Sequence, residues 1–299
     1  MGLKFKRVII AYNKESSRYG DVKREVLDKL EKYAEDFNFT VKHFLVLKKS
    51  VEKNAERLGK ELKDGDLVIV AGGDGTATAV LNGVINSKRQ VKLAVLPYGH
   101  FNDMARTLKC KKIEQIFSGE VKKFYPLEAK IDGKHFRYAG CYFTIGMFAE
   151  STEIFNIPDE RKKIKKGSAK IYAFSRLFKW WRKNRKREFL PKDLKATDIL
   201  AINGRTVARV MRGRRKLAFS SERFIITKRK LSGFFGIGLF MMKSIVFRIS
   251  GKTGTKMRLK FADVIEVEIQ AEGEYEKKKC REIIITKPVD KGVDVVYCK

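Results

Sequence analysis

The sequence is poor in the residues that usually build metal sites, disulfide frameworks and stiff linkers. Its 299 residues include three histidines, four cysteines, two tryptophans and five prolines. His43, His100 and His135 are too scattered to suggest a metal site. Cys110, Cys141, Cys280 and Cys298 have no Cys-x-x-Cys spacing, so reduced thiols are expected rather than zinc ligands or disulfides. No repeat or low-complexity linker stands out. No cleavable leader is expected, because Lys4, Lys6 and Arg7 run straight into a short strand, Val8 to Tyr12. Long apolar runs are also missing. The most apolar stretch, 231–247, is broken by three glycines and Lys243, which makes it marginal for a membrane span. Acidic residues are the largest deficit. Asp plus Glu is 35 against 66 for Lys plus Arg, a net charge of +31. That imbalance implies an anionic partner, whether acidic membrane, nucleic acid or polyphosphate, or else a generally basic background. A hydrophobic fraction of 43% suits a globular chain, and the length allows one to three domains.

Residues 67–83 carry the strongest pattern. Leu67 to Val70 reads as a buried strand, Gly72-Gly73-Asp74-Gly75-Thr76 as a tight turn, and Ala77 to Leu81 as the start of a helix. A strand, glycine turn and helix present backbone N–H groups to an anion, and glycine lets phosphate oxygens approach the backbone. Asp74, at the carboxyl end of the strand, is placed to orient Mg²⁺ or accept a proton; capping of the helix is the alternative. A second strand, Leu93 to Leu96, leads into Pro97-Tyr98-Gly99-His100-Phe101-Asn102-Asp103-Met104-Ala105-Arg106. Asn102 and Asp103 open a short helix through Leu108. Asn102 is placed to bond a ribose or the first loop, and Asp103 to cap the helix.

The pair Gly-Gly-Asp-Gly-Thr and Pro-x-Gly-x-x-Asn-Asp-x-Ala-Arg resembles the catalytic domain of the diacylglycerol kinase family, in its bacterial soluble lipid-kinase branch. Sphingosine and ceramide kinases are relatives, and NAD kinases share the first motif only. The resemblance implies a nucleotide site made from Asn13, Ser16 and Arg18 on a first loop, from Gly72, Gly73, Gly75 and Thr76, and from Gly99, His100 and Asn102. It implies ATP and Mg²⁺ as cofactors, and Asp74 or Glu272 as the catalytic carboxylate. Several positions depart from the pattern. Lys14 and Ser17 replace a proline and a glycine, His100 replaces a threonine, and Ala79 stands where a glutamate is frequent. Ser220-Ser221-Glu222-Arg223 replaces an Asp-Gly pair, so an acidic metal role there is lost or moved to Glu222. Glu272-Gly273-Glu274 has glutamate where relatives have aspartate; a charged hairpin tip is the alternative for Glu272.

Alternating strands and helices through residue 124 predict an α/β domain with a doubly wound parallel sheet, with ligands at the carboxyl ends of its strands. Strands are expected at 7–13, 39–47 and 91–96, with helices at 21–37 and 51–63. After Tyr125-Pro126 the pattern becomes alternating and antiparallel, with a turn at Asp132-Gly133. The chain is thus divided into a nucleotide-binding domain, 1–124, and a β-rich, sandwich-like lipid-substrate domain, 125–299, whose last strands are free to return to the first. Residues 143–148 resemble the segment approached by the acceptor lipid in relatives; a buried strand is the alternative. Leu217 to Phe219 and Phe224 to Thr227 read as strands, and the resemblance makes 231–247 a helix packed on the β domain.

Residues 160–187 interleave cations with aromatics. Lys179, Trp180, Trp181, Arg182 and Arg185 suit a helix lying on an anionic membrane, with the indoles at headgroup depth. A packed helix with a solvated basic face is the bland alternative. Arg212, Arg214, Arg215 and Lys216 form a second cluster in what reads as a hairpin. Together these features describe a cytoplasmic, peripherally membrane-associated lipid kinase that needs no specific nucleic acid, with a homodimer left open. A degenerate, non-catalytic lipid-binding relative and a basic nucleic-acid-binding protein remain as alternatives.

Overall fold

The computed structural model describes residues 5–16, 18–48, 50–151, 169–184, 187–209, 211–230, 248–249 and 251–299, and the side chains of 169–174, 177 and 181 lie outside that description. The first sheet is built on β3 (Leu67–Gly72), buried along its whole length, as a strand covered on both faces must be. β1 (Arg7–Tyr12) and β4 (Lys92–Pro97) flank it in parallel, and β2 (Thr40–Leu45) lies beyond β1. Helices fill the crossovers. α1 runs through Tyr19–Val22, a π-helical stretch Lys23–Leu27, and Asp28–Phe37. α2 (Val51–Glu61) is capped by Ser50, whose Oγ accepts from the Lys53 N–H at 3.3 Å. α3 (Asp74–Ser87) and α4 (Asp103–Leu108) leave the carboxyl ends of β3 and β4, and α5 (Glu114–Phe117) precedes β5 (Glu120–Phe124).

The chain then enters a second sheet of eight antiparallel strands: β6 (Leu127–Ile131), β7 (Lys134–Ala139), β8 (Tyr142–Gly146), β9 (Asp198–Ile202), β12 (Phe224–Arg229), β13 (Lys252–Gly254), β14 (Lys256–Ala271) and β15 (Glu274–Thr286). Alternate apolar residues, among them Phe143, Ile145, Ala201, Ile269, Ala271 and Ile283, gather on one side into a single core. Between these strands lie α6 (Met147–Ser151), α7 (Ala169–Asn184) and the small pair β10 (Thr206–Val207) and β11 (Met211–Arg212). β16 (Val293–Tyr297) returns to the first sheet, parallel to β4 and antiparallel to β5. The fold class is therefore the one read from sequence, a parallel α/β region joined to an antiparallel one.

Four local expectations need correction. The helix after the glycine turn begins at Asp74, not Ala77, so Gly75 and Thr76 sit in its first turn. Leu217 to Phe219 is not a strand but part of a 3-10 helix, Arg215–Phe219, with the Phe219 ring against Phe124 and Tyr297. Cys110 and Cys298 are not free thiols; they form a disulfide across 188 residues. The return of β16 beside β4 creates that pair, since Cys298 N–H also donates to the Leu108 carbonyl at 3.0 Å. Cys141 and Cys280 are free and buried. In α7, Lys179 and Arg182 are exposed, but Trp180 is half-buried, packed on the first core and against Phe189 at 5.6 Å. Its indole is committed to the protein rather than to a headgroup layer. The Trp181 side chain, Arg185 and the stretch 231–247 lie outside the described residues. Among the described residues no helix is long and apolar enough to cross a membrane.

Candidate functional site

The site begins where β3 and β4 end side by side. Gly73 is the extended N-cap of α3, and Gly99 lies directly against it. A Cβ at Gly99 would fall 2.2 Å from the Gly73 Cα, so the two loops meet only because both residues lack side chains. Asp74 joins them chemically. Its Oδ2 accepts from the Asn102 N–H at 2.8 Å and its Oδ1 from the Asp103 N–H at 2.7 Å. The Asp74 carboxylate therefore holds the start of α4 in place and is buried in doing so. Asn102, in the left-handed region with φ 56°, accepts from Gly99 N–H at 2.7 Å and donates to the Gly99 carbonyl at 2.8 Å. It braces its own loop.

Asp103 does not cap its helix. It is fully buried, and its Oδ1 accepts from the Thr206 hydroxyl and from the Arg209 N–H at 2.9 Å, so the β10–β11 hairpin docks on the site. Its Oδ2 is buried without a partner among the described residues. Glu272 arrives from the turn between β14 and β15, at φ 49° and followed by Gly273 at φ 96°. It is not a solvated hairpin tip but a buried carboxylate. It accepts from Gly140 N–H at 2.9 Å, Cys141 N–H at 2.7 Å and the Thr78 hydroxyl at 3.1 Å. Thr78 lies one turn beyond Asp74 on the same face of α3. Glu274 reaches the first turn of that helix, where a Cβ on Gly75 would meet its Oε1 at 2.1 Å.

Three carboxyl groups thus share one dry region. Burial, then the charges of Asp103 and Glu272, raise the Asp74 pKa well above its ordinary value, against the two backbone N–H bonds. Burial raises Asp103, opposed first by Thr206, and burial raises Glu272, opposed first by Gly140 and Cys141. Tyr142 completes the cluster. Its fully buried hydroxyl has no partner among the described residues, and burial with the same three carboxylates pushes its pKa up. Among the described residues no group of three or more His, Cys, Asp or Glu side chains is arranged to hold a metal ion.

The remaining candidates sit around this centre. Gly72 ends β3, with Thr76 packed against it. The Asn13 Oδ1 accepts from Glu15 N–H at 2.8 Å, and Ser16 accepts from Arg18 N–H at 3.4 Å, so both shape the first loop. Arg18 lies over the Tyr98 ring, donating to the Pro97 carbonyl at 3.0 Å and to Asp21 at 3.0 Å. It bridges the two loops rather than projecting free. His100 is exposed, and its carbonyl accepts from Arg209 at 3.3 Å. Glu222 is exposed on the loop before β12. Sequence reasoning missed Tyr142, Thr78, Thr206 and Arg209 as site residues. Tyr142 comes from β8 of the second sheet, Thr78 from α3 and Thr206 and Arg209 from the β10–β11 hairpin, so tertiary packing rather than sequence proximity gathers them.

Comparison with known proteins finds relatives for part of the sequence and for the fold. Residues 7–125 match the family model for the diacylglycerol kinase catalytic domain. Two Staphylococcus aureus proteins, named "Putative lipid kinase SAS0691" and "Putative lipid kinase MW0688", are each 33% identical over 107 residues, covering 34% of this chain. The match takes in 33% of the length of each relative. Two Bacillus anthracis structures share the fold; one, titled "A putative diacylglycerol kinase", has a TM-score of 0.65 and 16% identity over 98% of both chains. The other has a TM-score of 0.64 and 17% identity, over 98% of this chain and 97% of that one.

Proposed function

We propose, from the match of residues 7–125 to the diacylglycerol kinase catalytic-domain model, that the protein is an ATP- and Mg²⁺-dependent lipid kinase acting at an anionic membrane surface. The observation that carries this reading is the double hydrogen bond from the Asn102 and Asp103 N–H groups to Asp74, which fuses the two motifs into one centre at the carboxyl ends of β3 and β4. The α3 N-terminus at Gly73 and the Gly99 loop offer main-chain groups to the nucleotide phosphates. Asp74 is the brace that keeps those loops in register. Glu272 is the proton acceptor for the lipid hydroxyl, a carboxylate whose burial raises its affinity for a proton.

The oxygen donors here suit a hard divalent cation. Mg²⁺ takes one or two protein carboxylates and fills its other positions with water and phosphate, and the unpartnered Asp103 Oδ2 is such a donor. Asp103 and Asp74 would hold the ion, which supplies charge neutralisation to the phosphates. The protein's own part in phosphoryl transfer is positioning and electrostatics, with no covalent intermediate. The +31 charge supports residence on an anionic leaflet, which we place at the cytoplasmic face.

The test is transfer of labelled γ-phosphate from ATP with Mg²⁺ to diacylglycerol, monoacylglycerol, phosphatidylglycerol, sphingosine and undecaprenol in anionic mixed micelles, with NAD as a soluble control. Label in one lipid names the acceptor, and diacylglycerol is the expected one. Label in NAD alone, or in nothing, overturns the reading.

A further inference from the structure

The tip of the β10–β11 hairpin carries two successive non-glycine residues in the left-handed region, Ala208 at φ 49° and Arg209 at φ 62°. Such backbone is sparsely populated and persists only where its surroundings over-determine it. Here the fixing contact is the Arg209 N–H on Asp103. The hairpin is thereby anchored to the first residue of α4 by main chain, and the Arg209 side chain is left to serve another purpose. Its guanidinium reaches over the second loop and donates to the His100 carbonyl at 3.3 Å. Arg106 donates through Nε to the next carbonyl, Phe101, at 3.0 Å. Arg205 stands exposed nearby, at the start of the same hairpin.

None of these three guanidiniums is in an ion pair among the described residues. Burial, then the charges of Arg209 and Arg205, lower the Arg106 pKa, and the partial offset comes from Asp103 and Asp74 behind it. Arg106 and Arg209 therefore both hold carbonyls of one loop, Arg205 is close enough to bear on the Arg106 charge, and that loop touches Gly73 through Gly99. Each guanidinium spends at most one N–H on a loop carbonyl and keeps the rest of its donor fork, whose geometry matches phosphate oxygens.

We propose that Arg209, with Arg205 and Arg106, forms a clamp for a phosphate or polyphosphate group at the mouth of the site. The inference rests on the kinase reading for its biological ligand, though not for its chemistry. Two sources carry that group, the terminal phosphates of the nucleotide and a phosphate on the acceptor lipid.

Calorimetric binding of inorganic tripolyphosphate to the full chain tests the clamp without requiring catalysis. Wild type is expected to bind, Arg209→Gln to bind about tenfold more weakly, and Arg209→Lys to recover part of the loss. Arg205→Gln, remote from the Asp103 contact, is expected to weaken binding independently, with unchanged thermal unfolding as the check on folding. ATP against AMP binding, and KM for phosphatidylglycerol against diacylglycerol, then separate the sources. Selective loss of ATP affinity assigns the clamp to the nucleotide. Selective loss for phosphatidylglycerol assigns it to the acceptor. Equal tripolyphosphate binding by wild type and both Gln variants overturns the clamp, and if wild type still binds ATP and labels lipid, the kinase reading survives that result. No tripolyphosphate binding by wild type also overturns the clamp; absence of ATP binding and lipid labelling then counts separately against the kinase reading.

Discussion

Lys287 is a buried amine with no carboxylate paired to it among the described residues. Its Nζ donates to Asn203 Oδ1 at 2.6 Å and to the Leu217 and Arg223 carbonyls, and burial pushes its pKa down to about 7 from 10.5. Between those two values the unfolded chain binds more protons than the folded one, so this group adds stability as pH rises and its cost is full below about pH 7. The melting temperature is expected to climb from pH 7 toward 10 in wild type, and the climb to flatten in Lys287→Met. Identical profiles would contradict that assignment. At this scale the sequence was readable where chemistry is local. Asp74, Gly73 and Gly99 stand in contiguous motifs, and the structure brings them together. Asp103 was legible only as a cap, because its actual partner, Thr206, is 103 residues away.

Arg137 shows what the elements do for one another. Only 2% exposed, it ion-pairs with Glu52 on α2 and Glu276 on β15, and so ties the hairpin that carries Glu272 to the first sheet's helical layer. Arg137→Met is expected to cost about 2 kcal/mol, below the usual range for a broken buried pair because both glutamates keep contact with water. A lower urea midpoint with an unchanged slope would register it, and lipid labelling should fall in the same variant. An unchanged midpoint would count against the tie. Strand and helix identities were largely legible from periodicity, since the α/β half alternates plainly. The Glu272 turn was harder. The resemblance marks Glu272 as a candidate carboxylate while its charged neighbours leave a solvated tip open, and docking against Gly140, Cys141 and Thr78 is a tertiary fact. Trp180 is the converse case, an aromatic among cations that reads as interfacial yet packs on Phe189.

At the scale of the whole molecule, β16 closes the chain on its beginning, and Cys110–Cys298 seals that closure. A crosslink over 188 residues is worth about 5 kcal/mol in the loop-closure account. Reductant is therefore expected to lower the wild-type melting temperature and to leave Cys298→Ser, already lower, unmoved. Equal melting of wild type with and without reductant would contradict a structural crosslink. Spacing rules could not find this pair, because it is made by strand order. The central claim is that Asp74 and Glu272 belong to one phosphoryl-transfer centre, and γ-labelled ATP tests it most directly. With diacylglycerol in anionic mixed micelles, wild type should label the lipid, while folded Asp74→Asn and Glu272→Gln should each lose about a hundredfold or more in rate. Wild-type labelling rates in both variants would contradict the account.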